Sequence, residues 1–592
     1  HYLSLTFKGG EQNQFAVGAS VRLYFDDQEI FQELYPVRGF QSSVDYKLTI
    51  GLGTTQTIDS LRILWPNDKT QLLTQVATDQ TLALAQADAT ETYIPKKRQP
   101  QAQLLTELSN EKLKANTENN YNDFDYEGLI AKKLSQEGPA LATGDVDGDG
   151  NEDVYVGAPS GSAGTLYLHQ GKGKLNVKNQ SAFTEDAFYE DTAAALFDAD
   201  GDGDLDLMVA SGGNEVGKKE QLKPRLYLND GKGNFSKAPE ELPSAFQNMS
   251  VVAPYDFDGD GDMDVFIGSR SVVGVYGIDP KQLFLENTGN GVFVDATERL
   301  AYDTKDAGMV TDALWLDIDE DGKADLITVS EWGAPLVYKN SGRRLSLKET
   351  SLNDKTGWWN TIAAVDIDND GDMDLVLGNE GENLHYLPSE QRPMSMYIND
   401  FDNNGTIEQI TTMHKNGKDY PLHQKKEITA QMSSLKKQNL KASDYANRYI
   451  DEIFSKESLQ NAIKKSVKYA QSMIAVNDGK GSFSLKPLPY QTQLSCVCDI
   501  VATDINKDGL ADLIMAGNNF EFKPQYSQLD ASFGNVLLNQ GDASYAWQNY
   551  DKSGFFVKGE VKHLATFNDK NGTTYLIASV NDEKPKTFVL NE

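Results

Sequence analysis

Gly144-Asp145-Val146-Asp147-Gly148-Asp149-Gly150-Asn151-Glu152-Asp153-Val154-Tyr155-Val156-Gly157-Ala158-Pro159 is the stretch that decides how the rest of the chain is read. Oxygen-bearing side chains fall at positions 1, 3, 5 and 9 of a loop, on Asp145, Asp147, Asp149 and Asp153. Gly150 stands at position 6, and apolar runs flank both ends. Ca²⁺ takes six to eight oxygens at flexible geometry, and such a loop can wrap one ion. Three carboxylates, the backbone carbonyl of Asn151 at position 7 and the carboxylate of Asp153 supply the ligands. The twelfth-position Glu and the paired helices of an EF-hand are missing. Instead Leu141-Ala142-Thr143 and Val154-Tyr155-Val156 read as two strands joined by the loop.

The same register recurs six more times. The second, third and fourth copies are Asp198, Asp200, Asp202 and Asp206, then Asp256, Asp258, Asp260 and Asp264, then Asp317, Asp319, Asp321 and Asp325. Asp366, Asp368, Asp370 and Asp374 follow, then Asp400, Asp402, Asn404 and Glu408, and last Asp504, Asn506, Asp508 and Asp512. The position-7 carbonyls belong to Asp204, Asp262, Lys323, Asp372, Thr406 and Leu510, and position 6 is glycine in every copy. Glycine takes positive φ without steric cost where the chain doubles back. Seven copies in one register argue against acidic turns that hold no metal, and about seven bound Ca²⁺ ions are expected. An eighth, Phe567-Asp569-Asn571-Gly572-Tyr575, has lost oxygens at positions 1 and 9 and is expected to keep the shape without an ion.

The 592 residues exceed one ordinary core, so two or more domains are expected. Many glycines, 10% aromatic residues and short strand-like runs favour an all-β protein. A formal net charge of −33 argues against nucleic acid, whose phosphates would be repelled. Much of that charge lies in the loops, so metal and stability should be linked. The only cysteines, Cys496 and Cys498, read as free thiols. No apolar run approaches the length of a membrane span. The chain begins at His1 without a signal-like segment and is read as a mature or truncated form.

From residue 139 each acidic loop is followed by a hairpin with its own signature. Leu226-Tyr227-Leu228-Asn229-Asp230-Gly231 is one, and Leu283-Phe284-Leu285-Glu286-Asn287-Thr288-Gly289 is the next. An Asn or Asp beside Gly between apolar strands is a strong hairpin signal. Two hairpins per unit make four antiparallel strands, one blade of a β-propeller, and the repeat implies a ring with no bare sheet edge. The loops at Asp366 and Asp400 share one later hairpin, at Met473. Asp400–Glu408 is therefore read as an added loop in an enlarged fifth blade, which gives seven blades; eight is the alternative. The last blade is expected to take its outer strand from Leu104–Leu108, ahead of the repeats. Residues 427–469 read as a helical insertion, with Ile428, Met432, Tyr445, Ile450, Ile463 and Val467 among the apolar positions.

Residues 1–95 differ in character. Ser20-Val21-Arg22-Leu23-Tyr24-Phe25 and Ser60-Leu61-Arg62-Ile63-Leu64-Trp65 alternate apolar with polar side chains, as half-buried strands of a small sandwich do. Phe15-Ala16-Val17-Gly18-Ala19-Ser20, Ile50-Gly51-Leu52-Gly53 and Ile58-Asp59-Ser60-Leu61-Arg62-Ile63-Leu64-Trp65-Pro66 together resemble the ASPIC/UnbV domain. The loop Gly144–Pro159 resembles an FG-GAP (VCBS-type) blade of the kind found in integrin α heads. The resemblance implies three parts: 1–95 an ASPIC/UnbV-like β domain, 96–138 a linker with the ring-closing strand, and 139–592 a calcium-binding propeller. It further implies an exported, cell-surface or outer-membrane protein of Bacteroidetes-like bacteria, lipid-anchored through a part outside this chain.

In a propeller the first-to-second strand loops gather at one end of the ring. The opposite end is expected to display Arg270, Trp332, Trp358, Trp359, Phe520 and Tyr526, aromatics and a charge suited to a sugar or peptide. No HExxH, GxSxG or Cys–His signature is present. The expected function is therefore a non-enzymatic, calcium-stabilised binding or scaffold protein. Its partner would be a protein or glycan, and it would serve as an accessory subunit of an outer-membrane complex. The alternative is a glycan-processing lyase or hydrolase.

Overall fold

The computed structural model describes residues 1–95 and 102–591; 96–101, at the start of the polar linker, and 592 lie outside them. The chain divides into two compact units, His1–Pro100 and Gln101–Glu592.

In the first unit, five strands form one sheet in the order Gln28–Glu33, Ser20–Phe25, Thr57–Leu64, Lys69–Ala77, Glu91–Thr92. A second sheet places Tyr2–Lys8 between antiparallel Lys47–Gly51 and parallel Gln80–Ala85. The period-2 pattern turns Val21, Leu23, Leu61 and Ile63 into one core with Leu3, Leu5, Ile50 and Trp65.

The second unit is a ring of seven four-stranded antiparallel blades. Their innermost strands are Leu141–Gly144, Asp191–Phe197, Asn248–Tyr255, Met309–Leu316, Thr361–Val365, Asp499–Thr503 and Glu560–Asn568. Each packs against the next, and the last packs against the first. Second strands such as Asp206–Ser211 are buried at every residue, because a neighbouring blade covers each face. Apolar clusters fill all the joints. Leu166 and Tyr155 of blade 1 meet Leu207 and Val209 of blade 2, and the pattern continues to Ile577 and Phe567 of blade 7 against Val154 of blade 1. The seventh blade has only three strands of its own. Leu105–Leu108 pairs antiparallel with Lys586–Leu590 as the fourth, and Leu105 is fully buried.

Between the second strand of blade 5, Asp374–Gly378, and its third, Met473–Asn477, the chain leaves the ring. It builds an extra sheet in the order Lys418–Pro421, Glu408–Lys415, Met394–Asn399, Ile463–Val467. Asp400–Glu408 thus joins two strands of a sheet outside the ring, rather than widening blade 5. Short helices follow at Lys425–Gln431, Ala442–Ala446, Ile450–Ile453 and Lys456–Asn461. Ile463 and Val467, read from the sequence as helical, lie instead in the strand that pairs with Met394–Asn399. Five residues cannot establish a helical period, and the free edge beside Met394–Asn399 takes them as a strand.

Candidate metal centre and the opposite end of the ring

The seven acidic loops fold alike because each position has a distinct hydrogen-bonding task. Position 1 holds the turn. Asp145 Oδ2 accepts the Gly150 N–H at 2.9 Å, and the same bond recurs from Asp198, Asp256, Asp317, Asp366, Asp400 and Asp504. The position-6 glycines all have positive φ, from 86° at Gly322 and Gly405 to 100° at Gly371. A Cβ there would strain the backbone. Position 5 accepts the position-7 N–H, as Asp149 does from Asn151 at 2.8 Å and Asp202 from Asp204 at 3.0 Å.

Position 9 is a clamp. Asp153 Oδ2 accepts Val146 N–H at 3.1 Å, and Oδ1 accepts His169 N–H, at the end of the third strand, at 2.8 Å. Asp206, Asp264, Asp374 and Asp512 bond the equivalent pair of N–H groups. These carboxylates are buried, which pushes Asp153 and Asp264 up to about 7 and Asp206 to about 6, despite the stabilising N–H donors. Position 3 is the least committed: Asp147 accepts one N–H, from Asp149 at 3.3 Å, and is half-buried.

The hairpin asparagine adds a bond across blades. Asn229 Nδ2 donates to Val146 O of the preceding acidic loop at 2.8 Å, and Asn287 donates to Ala199 O at 2.8 Å. Asn340, Asn477 and Asn539 repeat it to Phe257, Ile318 and Ile367. In blade 1 the residue is His169, packed edge-on against Phe567 and Tyr575 of blade 7. The acidic loops of blades 1 to 5 are thereby each tied to the next blade.

Do the loops fit a hard cation? In at least five of them, the fourth included, three carboxylates, such as Asp145, Asp147 and Asp153 or Asp198, Asp200 and Asp206, bring oxygens within 4.8 Å of one another. Such clusters of oxygens alone suit Ca²⁺. The fourth loop differs. Lys339 contacts Asp319, and its Nζ lies 2.9 Å from Asp321 and 3.5 Å from Asp325, while Lys348 reaches Asp319 at 3.1 Å. An ammonium group sits among the carboxylates there, and it lowers the Asp319 and Asp321 pKa values against the effect of burial. The sequence held the signal, a Lys at the hairpin position occupied by Leu168, Leu228 and Leu538 in other blades. The eighth copy forms a turn in which Asp569 accepts the N–H groups of Asn571 and Thr573. Its neighbour Asn568 donates its N–H to Glu152 of the first loop at 2.7 Å.

The opposite end of the ring is not bare. Trp332, Trp358 and Trp359 are 7%, 9% and 0% exposed. Trp332 and Trp358 pack under Met394, Met396 and Ile398 of the inserted sheet, and Trp359 fills the joint between blades 4 and 5. Hydrophobic burial thus claims the aromatics expected to face a ligand. Arg270 is also enclosed, bound to Glu137 and to Glu331 at 3.1 Å. Phe520 and Tyr526 are half-buried.

Residues 9–91 match the ASPIC and UnbV family model, and 145–209, 198–267 and 317–377 match the FG-GAP-like repeat. The chain carries an ASPIC/UnbV domain and FG-GAP-like repeats. A stretch of 174 residues is 28% identical to integrin alpha pat-2 of Caenorhabditis briggsae, covering 26% of this chain and only 14% of that protein. Solved structures with similar traces include an Agrocybe aegerita lectin that recognises non-reducing terminal N-acetylglucosamine (TM-score 0.29, 14% identity, 72% of this chain and 92% of that one). The Vibrio cholerae biofilm matrix protein Bap1 gives a TM-score of 0.34 at 12% identity, over 81% of this chain and 91% of its own. Saccharomyces cerevisiae Sqt1 gives 0.37 at 8% identity, over 79% and 100%.

Proposed function

We propose that this protein is a calcium-stabilised, non-catalytic binding or scaffold protein of the cell surface, and that its partner is a protein met at the end of the ring opposite the acidic loops. Ca²⁺ would be held by positions 1, 3 and 5 of the loops with the position-9 carboxylate, and would offset a dense negative charge. FG-GAP-like repeats and the Asp clusters support the calcium reading. Among the described residues no helix is long and apolar enough to cross a membrane.

The insertion in blade 5 carries the proposal about the partner. It covers the face a propeller ordinarily leaves open and presents its own outer surface, including Leu440 at 79% exposure. A protein companion is favoured over a glycan because the aromatic rings that would stack on sugars are buried. The full, calcium-loaded chain should co-purify from detergent-solubilised membranes with a companion in fixed ratio, and Leu440→Asp should weaken that ratio. Binding on a glycan array, or turnover of a polysaccharide, with no such companion would overturn the reading.

A further inference from the structure

A cavity of about 100 Å³ lies between the ring and the inserted layer. Its walls carry the rings of Tyr276, Trp332, Trp358, Phe522, Tyr386 and Tyr526, and it reaches the surface beside exposed His385 and Ser527. Tyr386 and Tyr526 meet edge-on at 6.5 Å near that mouth. At the inner end stands Lys132, the one Lys or Arg among the lining residues. Its Nζ bonds Glu331 at 3.1 Å and Glu380 at 2.7 Å.

Three observations mark this space as more than a packing gap. First, Glu380 is 3% exposed, and its Oε2 has no hydrogen-bond partner among the described residues. A buried carboxylate oxygen left bare is costly. Second, the charges do not balance. Lys132, Arg270 and the adjoining Lys562 face Glu137, Glu331, Glu380 and Glu560, three cations against four carboxylates. A buried cluster short of counter-charge is unfavourable. Third, Trp332 in the cavity wall has φ of 58°, a left-handed backbone unusual for a bulky residue. Its Nε1–H donates to Tyr276 at 3.0 Å, and Tyr276 donates to Glu331 at 2.8 Å, which holds the ring in place. Strain of this kind gathers at ligand sites.

A polar group on another wall is also unspent. His423 Nε2 lies 3.1 Å from Thr411 N–H and 3.2 Å from Gln409 O. Its Nδ1 is buried and without a partner among the described residues.

We propose that this cavity binds a small organic ammonium ion, with the cation against Glu380 Oε2 and the carbon body against the aromatic rings. The ammonium supplies the missing charge and the missing donor together. Aromatic faces attract cations, most strongly where water is excluded. A polar group elsewhere on the same ligand would meet His423 Nδ1. A cavity of about 150 Å³ holds benzene, so the carbon body here is short, of about four to six heavy atoms. The site is separate from the macromolecular partner proposed above and stands or falls without it.

The test uses the full calcium-loaded chain, with isobutylammonium chloride and its neutral counterpart isobutanol as probes. Titration calorimetry should show saturable one-to-one binding of isobutylammonium, at least tenfold tighter than isobutanol. A crystal soaked with it should show density between Glu380 and Trp358. Glu380→Gln keeps an oxygen for Lys132 and should remove the preference for the charged probe. Equal binding of both probes, no binding of either, or ordered water alone in the soaked crystal would overturn the proposal. Should Glu380→Gln fail to fold, the comparison of the two probes on the native chain still decides.

Discussion

Replacing Asp153 by Asn separates the two tasks assigned to an acidic loop. Asp153 is 1% exposed and accepts two N–H groups, from Val146 and His169, one on each oxygen. Asparagine offers one oxygen, so its NH₂ must face one of those donors. A buried N–H is left unpaired, at a cost of about 1–3 kcal/mol, whether or not metal is present. A second loss appears only with calcium. A bound ion stabilises the fold by about 2.7 kcal/mol at a free concentration a hundredfold above its Kd. Asp147→Asn is the control, because Asp147 accepts one N–H, at 3.3 Å, and asparagine keeps that acceptor. Urea unfolding should be followed for both variants in excess calcium and in EDTA. Asp153→Asn should be destabilised in both media, and Asp147→Asn in calcium alone. If Asp147→Asn loses as much stability in EDTA as in calcium, or Asp153→Asn loses none in EDTA, the division of labour is wrong.

Lys339→Leu should add one calcium ion to the stoichiometry found by equilibrium dialysis, because it removes the ammonium group from Asp319, Asp321 and Asp325; an unchanged count would contradict this. His423 is fully buried, which lowers its pKa from the ordinary 6.5 to about 4. The unfolded chain takes up that proton first as pH falls, so folding loses up to about 3 kcal/mol between pH 6.5 and 4. His423→Phe should remove that part of the acid sensitivity in unfolding curves, even if its stability at pH 8 is lower. Leu105→Ala should cost about 2–5 kcal/mol, since it empties a fully buried position in the strand that closes blade 7; a cost below about 1 kcal/mol would mean that the ring does not depend on that closure.

Much of the fold was written in repeats that a reader could count. The acidic register, the position-6 glycines and the Asn-containing hairpins set blade number and strand order, because each encodes a local turn. The borrowed strand at Leu105–Leu108 was legible from what the seventh unit lacked. What escaped was long-range. Position 9 read as a ligand, and nothing local showed that both oxygens of Asp153 also take backbone N–H groups. The recurrence of Asn229, Asn287, Asn340, Asn477 and Asn539 was visible as a hairpin mark, but not as a bond to the preceding blade. Trp332 and Trp358 read as an open surface, and the sequence does not say that Met394–Asn399 folds back over them and encloses them in a cavity wall. Glu380 and Lys132 are 248 positions apart and carry no motif, so their pairing was out of reach.

The central claim is that calcium fills the acidic loops of a closed, seven-bladed ring. A crystal grown in calcium and measured for anomalous scattering tests it most directly. The expected result is a peak in the cleft of each acidic loop other than the one Lys339 occupies, none at Asp569, and Leu105–Leu108 seated in the last blade. Loops without peaks under saturating calcium, or blades laid out as an open row, would contradict it.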